Sequence, residues 1–269
     1  MSFLLHGDCL ELLDEIDDKS VDFIFCDLPY GTTSLKSNPW DIPLDLDLLW
    51  KQLLRVKKER TPIFFTTTTK YGFDLLKKQP KKCPFRFDLV YEKSTASGFL
   101  TSKKVPLRSH ELIYVFYEKT PMYDLSTHLP KFKEEDYDGV INDKCNYGTI
   151  KTKYKTKGDN SGPRYDPPLP RSVVKIKSTK GSHSTEKPVE LIEYLLKYFS
   201  KEGDTILDPT MGAGSTGVAC KNMKRNFIGI EKNDLYFNTA ENRITWKQNK
   251  LLKFFHSEYY ITSFINNDI

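Results

Sequence analysis

The stretch Thr205–Gly217, TILDPTMGAGSTG, restricts the fold more than any other in the chain. Thr205-Ile206-Leu207 reads as a short buried strand, and Gly212, Gly214 and Gly217 keep G-x-G-x-x-G spacing where a helix should open. A strand that feeds a helix through a glycine turn belongs to a parallel α/β sheet, and ligands bind at that edge of the sheet. On spacing alone the turn is a dinucleotide fingerprint. Asp208, at the strand end, opposes that reading and disfavours an NAD-dependent oxidoreductase, because a pyrophosphate in the turn would meet a carboxylate.

The next strand candidate, Phe227–Ile230, ends at Glu231, which is placed to accept from ribose hydroxyls. Two carboxylates around a glycine turn suit a ligand with an ammonium and a sulfonium, so they fit S-adenosylmethionine better than NAD. A second strand-to-turn lies near the N-terminus. Val21, Phe23, Ile24 and Phe25 read as a buried strand that stops at Asp27-Leu28-Pro29-Tyr30-Gly31. Pro29 cannot donate to a ladder and Gly31 permits a turn, so a carboxylate and an aromatic ring are left at a strand end. By itself this is equally an ordinary capped turn.

Before and between these two points the chain alternates strands and helices. Phe3–Leu5, a helical face of Leu10, Leu12, Leu13 and Ile16, and the strand before Asp27 make a βαβ unit. Leu44–Val56 has helical spacing, Pro62–Thr66 and Phe85–Glu92 read as strands, and Glu111–Tyr117 is a strongly apolar strand. Regular patterning is lost over residues 120–182, where Pro, Gly, Lys, Tyr and Asp dominate. It returns at Thr185-Glu186-Lys187-Pro188, ahead of a helical stripe of Val189, Leu191, Ile192, Leu195, Leu196 and Phe199. The expected architecture is a mostly parallel sheet with an antiparallel hairpin at one edge and an irregular inserted region. Trp40 and Trp50 read as core, and the aromatic tail around Phe254, Phe255, Tyr259 and Tyr260 reads as packed down.

Charge narrows the partners. The chain of 269 residues carries a net +5, but residues 150–187 alone hold ten Lys or Arg against three acids. A local basic, Pro- and Gly-rich segment suits a phosphate backbone, or is a solvated loop. Five scattered cysteines without a CxxC pair suit a reducing, cytoplasmic setting with free thiols and argue against a zinc site. No apolar run reaches the length of a membrane span, and the N-terminus has no signal-peptide pattern.

Asp-Leu-Pro-Tyr at 27–30, Thr-Glu-Lys-Pro at 185–188 and Asp-Pro-Thr-Met-Gly-Ala-Gly-Ser-Thr-Gly at 208–217 occur in that order. Together they resemble motifs IV, X and I of the DNA amino-methyltransferases, in the order of that family's β class. Gly7-Asp8-Cys9-Leu10 and Arg108-Ser109-His110-Glu111 fit it as well. The resemblance covers residues 1–120 and 183–245. It implies a Rossmann-like methyltransferase fold in which 1–119 is the catalytic half, 120–182 an inserted target-recognition region and 183–269 the cofactor-binding half. It implies S-adenosylmethionine as methyl donor with no metal, double-stranded DNA as substrate, no membrane association, and a homodimer and a cognate restriction endonuclease as partners the family allows.

The resemblance carries roles onto residues. Asp27, Leu28, Pro29 and Tyr30 are the catalytic candidates; the Asp27 carboxylate and the Leu28 carbonyl receive the amine protons, and Tyr30 stacks on a base taken out of the duplex. Asp8, Lys187, Asp208, Pro209, Gly212, Gly214, Ser215, Thr216 and Glu231 are the cofactor candidates. Lys187 could instead cap its own helix. Lys103, Lys104 and Arg108 meet DNA phosphates or only water, and His110 and Glu111 read as residues that orient a loop against the strand, with a catalytic role as the alternative. Leu28 departs from the family's usual proline but keeps its carbonyl, and Met211 stands where an aromatic is common. Asp27 rather than serine favours adenine N6, with cytosine N4 as the alternative and an inactive nucleic-acid-binding module as the alternative from another class. Cys83-Pro84 is the wrong order for a C5-cytosine nucleophile.

Overall fold

The computed structural model describes residues 1–31, 41–130, 134–145, 148–156, 165–177 and 186–245. Trp40, Thr185 and the aromatic tail lie outside the described residues. In chain order the elements are β1 (Ser2–His6), α1 (Cys9–Leu12), β2 (Phe23–Cys26), α2 (Leu46–Val56), β3 (Ile63–Thr67), α3 (Thr69–Lys78), β4 (Phe85–Ser97) and β5 (Arg108–Phe116). Then come β6 (Leu129–Pro130), β7 (Glu134–Cys145), β8 (Gly148–Thr156), β9 (Tyr165–Asp166), β10 (Val173–Ile176), α4 (Val189–Phe199), β11 (Thr205–Asp208), α5 (Ser215–Asn222) and β12 (Asn226–Glu231). A final helix, α6, is described over 234–245.

Eight strands form one sheet in the order β1-β12-β11-β2-β3-β5-β4-β10. β5 alone runs antiparallel to its neighbours β3 and β4; the other pairings are parallel. The strands at the centre are apolar on both faces because helices cover both. Every residue of β2 and β3 is buried. On one face Ile24, Cys26, Ile63, Phe65 and Leu207 join a core with Leu13 beyond α1, Leu49, Trp50 and Leu53 of α2, and Leu75 of α3. On the other, Phe64 stacks on Phe23 at 4.9 Å and meets Phe199 of α4 at 5.1 Å.

Local signals place the helices. Asp45 caps α2 by accepting from the backbone N–H groups of Asp47 (2.9 Å) and Leu48 (3.2 Å), and Thr68 caps α3 through the N–H of Tyr71. α4 starts directly after Pro188 and buries Leu191, Ile192, Leu195 and Leu196, one stripe at helical spacing. Trp50 is buried, as its place in the α2 stripe implies.

Two features differ from the pattern read in the sequence. The β4–β5 hairpin is not outermost, because β10 pairs in parallel with β4, Val173 opposite Val90 through Ile176 opposite Lys93. Four residues flanked by Ser, Arg and Lys are too short a run to carry a strand signal. The segment 120–182 also contains β7 and β8, an antiparallel pair with a bulge between Asp136 and Ile141. In β8, GTIKTKYKT, Ile150, Thr152, Tyr154 and Thr156 alternate with Lys151, Lys153 and Lys155, a strand period of two; with only two apolar residues in it, the period is hidden by the Lys-rich composition of the segment.

The chain divides into two compact units. One joins residues 1–123 to the chain from Ser172 onward; the other is Asp124–Arg171. Within the second, β6 pairs with β9, and His128 Nδ1 lies 2.8 Å from the Pro167 carbonyl.

Phe64 is fully buried and bridges the Phe23 ring to α4. Phe64→Ala should cost roughly 3–5 kcal/mol. It should lower the urea midpoint with an unchanged slope, and a loss below about 1 kcal/mol would mean that this face repacks freely.

Candidate active site

The C-terminal ends of β1, β12, β11, β2, β3 and β4 share one edge of the sheet. From β11 the chain turns through α5 to β12 on one side, while from β2 it turns through α2 to β3 on the other. The divergence opens a crevice between β11 and β2. A cavity of about 700 Å³ occupies it, lined by Asp8, Asp27, Leu28, Pro29, Tyr30, Lys187, Asp208, Pro209, Gly212, Ser215, Thr216 and Glu231. Twelve of the thirteen residues read from the sequence as catalytic or cofactor candidates therefore meet in one place; Gly214 is not in the lining.

The glycine turn forms one end. Gly212 has a φ of +53°, which favours glycine, and a Cβ there would meet nothing within 4 Å, so its backbone is open to a ligand. Gly214 (φ +83°) serves packing instead: a Cβ would lie 2.8 Å from the Cβ of Ala240 on α6. Glu231 accepts from the N–H groups of Gly212 (2.9 Å) and Asn233 (2.7 Å), and burial raises its carboxyl pKa. Asp208 is 2% exposed and accepts from Thr216 Oγ1 (2.5 Å) and the N–H of Thr210 (3.1 Å). Burial lifts its carboxyl to about 7, with the charges of Asp27 and Glu231 pushing the same way against those two hydrogen bonds. Asp8 caps α1 through the N–H of Leu10 (2.9 Å) and accepts from Lys232 Nζ (3.0 Å). This end presents carboxylates where a dinucleotide site would present bare N–H groups, which suits a cationic ligand.

Ser215 donates to Glu186 Oε1 at 2.5 Å, and Arg243 Nη1 holds the same oxygen at 2.7 Å and the Ala213 carbonyl at 2.6 Å. α6 thus clamps the turn. Glu186 and Arg243 were not singled out in the sequence; the Thr-Glu-Lys-Pro motif was the one available signal for Glu186.

Asp27 forms the other end. Lys187 Nζ donates to both of its oxygens at 2.7 Å and lies 3.2 Å from Glu111 Oε2. Lys187 is 7% exposed. Burial pulls its ammonium pKa down, but the negative charges of Asp27 and Glu111 outweigh this and hold it protonated. Its side chain does not cap α4, whose first turn has no side-chain cap. The Tyr30 hydroxyl lies 3.0 Å from Asp27 Oδ1 and 3.1 Å from Thr66 Oγ1, and Thr66 also hydrogen-bonds Asp27. Burial, then the Asp27 charge, raises the Tyr30 phenol well above its usual range, so it stays neutral. Thr210 Oγ1 donates to the Asp27 carbonyl at 3.2 Å and ties the two turns together. The Leu28 side chain is 3% exposed and packs into the core beneath the turn, which gives the leucine a packing role at this position. Thr66 and Glu111 come from β3 and β5, and only the sheet order brings them here.

A family model described as DNA methylase matches residues 21–242, more than half of the chain. The chain belongs to that family. Among curated relatives of this DNA methylase, the type II methyltransferase M.HinfI of Haemophilus influenzae is 26% identical over 91% of this chain and 68% of its own length. The type II methyltransferase M1.MboII of Moraxella bovis is 24% identical over 86% of this chain and 92% of its own. The crystal structure of an M1.HpyAVI–SAM complex shares the fold, with a TM-score of 0.58, 19% identity, and 91% and 99% of the two chains covered. So does the cytosine-N4-specific PvuII DNA methyltransferase, with a TM-score of 0.62, 14% identity and 90% and 86% covered.

In this methylase Lys103 and Lys104 are exposed on the loop between β4 and β5, and Arg108 opens β5 with its Nε on the His110 carbonyl (3.1 Å). That loop leaves the same sheet edge as the cavity. Of the basic tract 150–187, Lys175 pairs with Glu92 (3.2 Å) and Lys187 is buried in the site. Cys9, Cys26, Cys83 and Cys220 are buried free thiols, and burial pushes that of Cys9 up to about 12. Among the described residues no cluster could hold a metal ion and no helix is long and apolar enough to cross a membrane.

Asp208 supplies a signed prediction. Unfolded, its carboxyl returns to the ordinary value of 3.8. Between about pH 4 and about pH 7 the unfolded chain has lost this proton while the folded chain keeps it, so rising pH lowers stability across that window. Asn carries no such proton. Asp208→Asn, whatever its constant cost, should gain on the parent by up to a few kcal/mol as pH rises from about 5 to about 7.5. Urea unfolding of both proteins at the two pH values measures this; a difference that stays flat would mean that Asp208 ionises at its ordinary pH.

Proposed function

We propose that this DNA methylase transfers a methyl group from S-adenosylmethionine to the N6 amine of adenine in a base turned out of the duplex. The observation that carries the reading is that Asp27 lines the same cavity as Asp208 and Glu231, beside a Gly212 on which a Cβ would meet nothing within 4 Å. The methyl donor would lie at the glycine turn, its ammonium toward Asp208 and its ribose hydroxyls toward Glu231, with Asp8 at the same end. Bound there, S-adenosylmethionine supplies an electrophilic methyl on a sulfonium, and transfer breaks the sulfur–carbon bond and forms a nitrogen–carbon bond, leaving a thioether and a protonated, methylated amine.

The chain's own residues do the rest. The adenine amine is a poor nucleophile because its lone pair is delocalised into the ring. Hydrogen bonds from its two protons to the Asp27 carboxylate and the Leu28 carbonyl localise that pair and aim it at the methyl. After transfer the amine gives up one proton, for which Asp27 is the acceptor, and the proton leaves to water with the product. Pro29 stiffens the turn that presents the Leu28 carbonyl, and the Tyr30 ring is the candidate platform for the base. Lys103, Lys104 and Arg108 would hold duplex phosphates beside the site.

A similar solved structure is of a cytosine-N4-specific enzyme, and an exocyclic cytosine amine poses the same chemical problem. Methyl transfer to duplexes whose methylatable amines are confined to adenine or to cytosine separates the two. Labelled N6-methyladenine is the expected product, and N4-methylcytosine alone overturns the adenine assignment. Failure to bind S-adenosylmethionine in calorimetry favours a binding module without activity.

Asp27→Ala should abolish transfer while changing cofactor affinity by less than about threefold, because Lys187 keeps Glu111 as a buried counter-charge. Parallel loss of both would mean that Asp27 holds the cofactor rather than the amine.

A further inference from the structure

Glu111 stands behind Lys187 in a way the reaction above does not use. Its Oε1 is held by Lys93 Nζ at 3.0 Å. Its Oε2 is buried and accepts no hydrogen bond among the described residues, although Lys187 Nζ is 3.2 Å away. A buried carboxylate oxygen without a hydrogen bond is costly and rare. The Lys187 ammonium directs hydrogen bonds to Asp27 instead, one to each oxygen. It sits between two carboxylates and engages them unequally.

Asp27 is unequal too. Oδ1 is shared by Lys187, Thr66 and the Tyr30 hydroxyl. Oδ2 holds Lys187 alone among the described residues. An incoming amine proton must therefore be received at Oδ2, beside the ammonium. Once the methyl arrives the amine becomes cationic, and an ammonium on the same oxygen opposes that charge. The site as it stands is closed by its own counter-ion.

We propose that Glu111 is a positioning residue that draws Lys187 off Asp27 Oδ2 as the target amine enters. The lysine stem is flexible, its ammonium has a second acceptor within ion-pair reach, and the exchange moves no proton. Lys187 stays protonated throughout and trades one hydrogen bond to Asp27 for one to Glu111 Oε2. Asp27 then faces the amine with its negative charge uncovered, and Lys93 keeps Glu111 aimed from the far side. This rests on the amino-methyltransferase reading but holds for either exocyclic amine.

The test is Glu111→Gln, which keeps shape and removes charge. The single-turnover methyl-transfer rate should fall about tenfold or more, while dissociation constants for S-adenosylmethionine and for duplex DNA move by less than about threefold. Repeating the substitution in a Lys187→Met background should cause no further loss, because Glu111 acts only through Lys187. Glu111→Asp keeps the charge but withdraws it by one methylene, and should lose rate in the same way; it decides the matter if the Gln variant does not fold. An unchanged rate, a loss carried by binding, or additive losses in the double variant would each overturn the proposal. A parent chain that methylates no DNA would overturn the activity reading itself, which these comparisons between active proteins keep separate.

Discussion

Four of the seven acids that line the cavity, Asp8, Asp27, Asp208 and Glu231, stand at strand ends or the turns that follow them, and containing their charge is the constraint that the rest of the site answers. Desolvated negative charge is tolerated only when it is paired, hydrogen-bonded or protonated. Each acid has its own solution here. Asp8 takes a helix cap and Lys232, Glu231 takes two backbone N–H groups, and Asp27 takes a buried ammonium. Asp208 has only a hydroxyl and one N–H, with two acids nearby, and so its carboxyl rises to about 7. A ligand that brings positive charge relieves this end, and an anionic one aggravates it.

The glycine turn shows how one spacing serves two opposite chemistries. In a dinucleotide site such a turn aims N–H groups at phosphate. Here the N–H of Gly212 is spent on Glu231. The turn keeps its shape and reverses the charge it presents. Only the first glycine of the spacing is needed at the cavity. Gly214 and Gly217 leave room for α6, since a Cβ on Gly217 would meet Ile244 at 2.3 Å. The stability of the turn and the docking of α6 are thus one problem, and Arg243 on Glu186 is its polar half.

Sharing Lys187 between Asp27 and Glu111 couples the acceptor end of the cavity to β5. The buried pair is not needed to hold β2 in the sheet, because β2 is already packed between β11 and β3. It is better understood as setting the charge that a substrate meets. Such a pair gives little net stability, since desolvating both ions offsets most of their attraction.

Much was legible in the chain alone, for local reasons. Apolar runs at Phe23–Cys26 and Thr205–Leu207 mark strands, Pro and Gly mark where they stop, and a carboxylate at a strand end must lie at the edge of a parallel sheet. Those facts, with the order of three short motifs, were enough to identify the fold and twelve of the residues that line the cavity. What they could not supply was the pairing. Lys187 meets Asp27 across 160 residues, and Thr66 and Glu111 arrive on strands whose neighbours depend on the sheet order. The parallel edge strand β10 and the β7–β8 hairpin escaped for a related reason: one is too short to show a period, the other carries its period in β8 mainly on Thr and Lys rather than on apolar residues, and backbone hydrogen bonding across strands defines both. Periodicity and turn chemistry are written within a few residues of sequence. The sharing of a buried charge is decided by which strands lie side by side, and only the assembled sheet places a lysine between two acids.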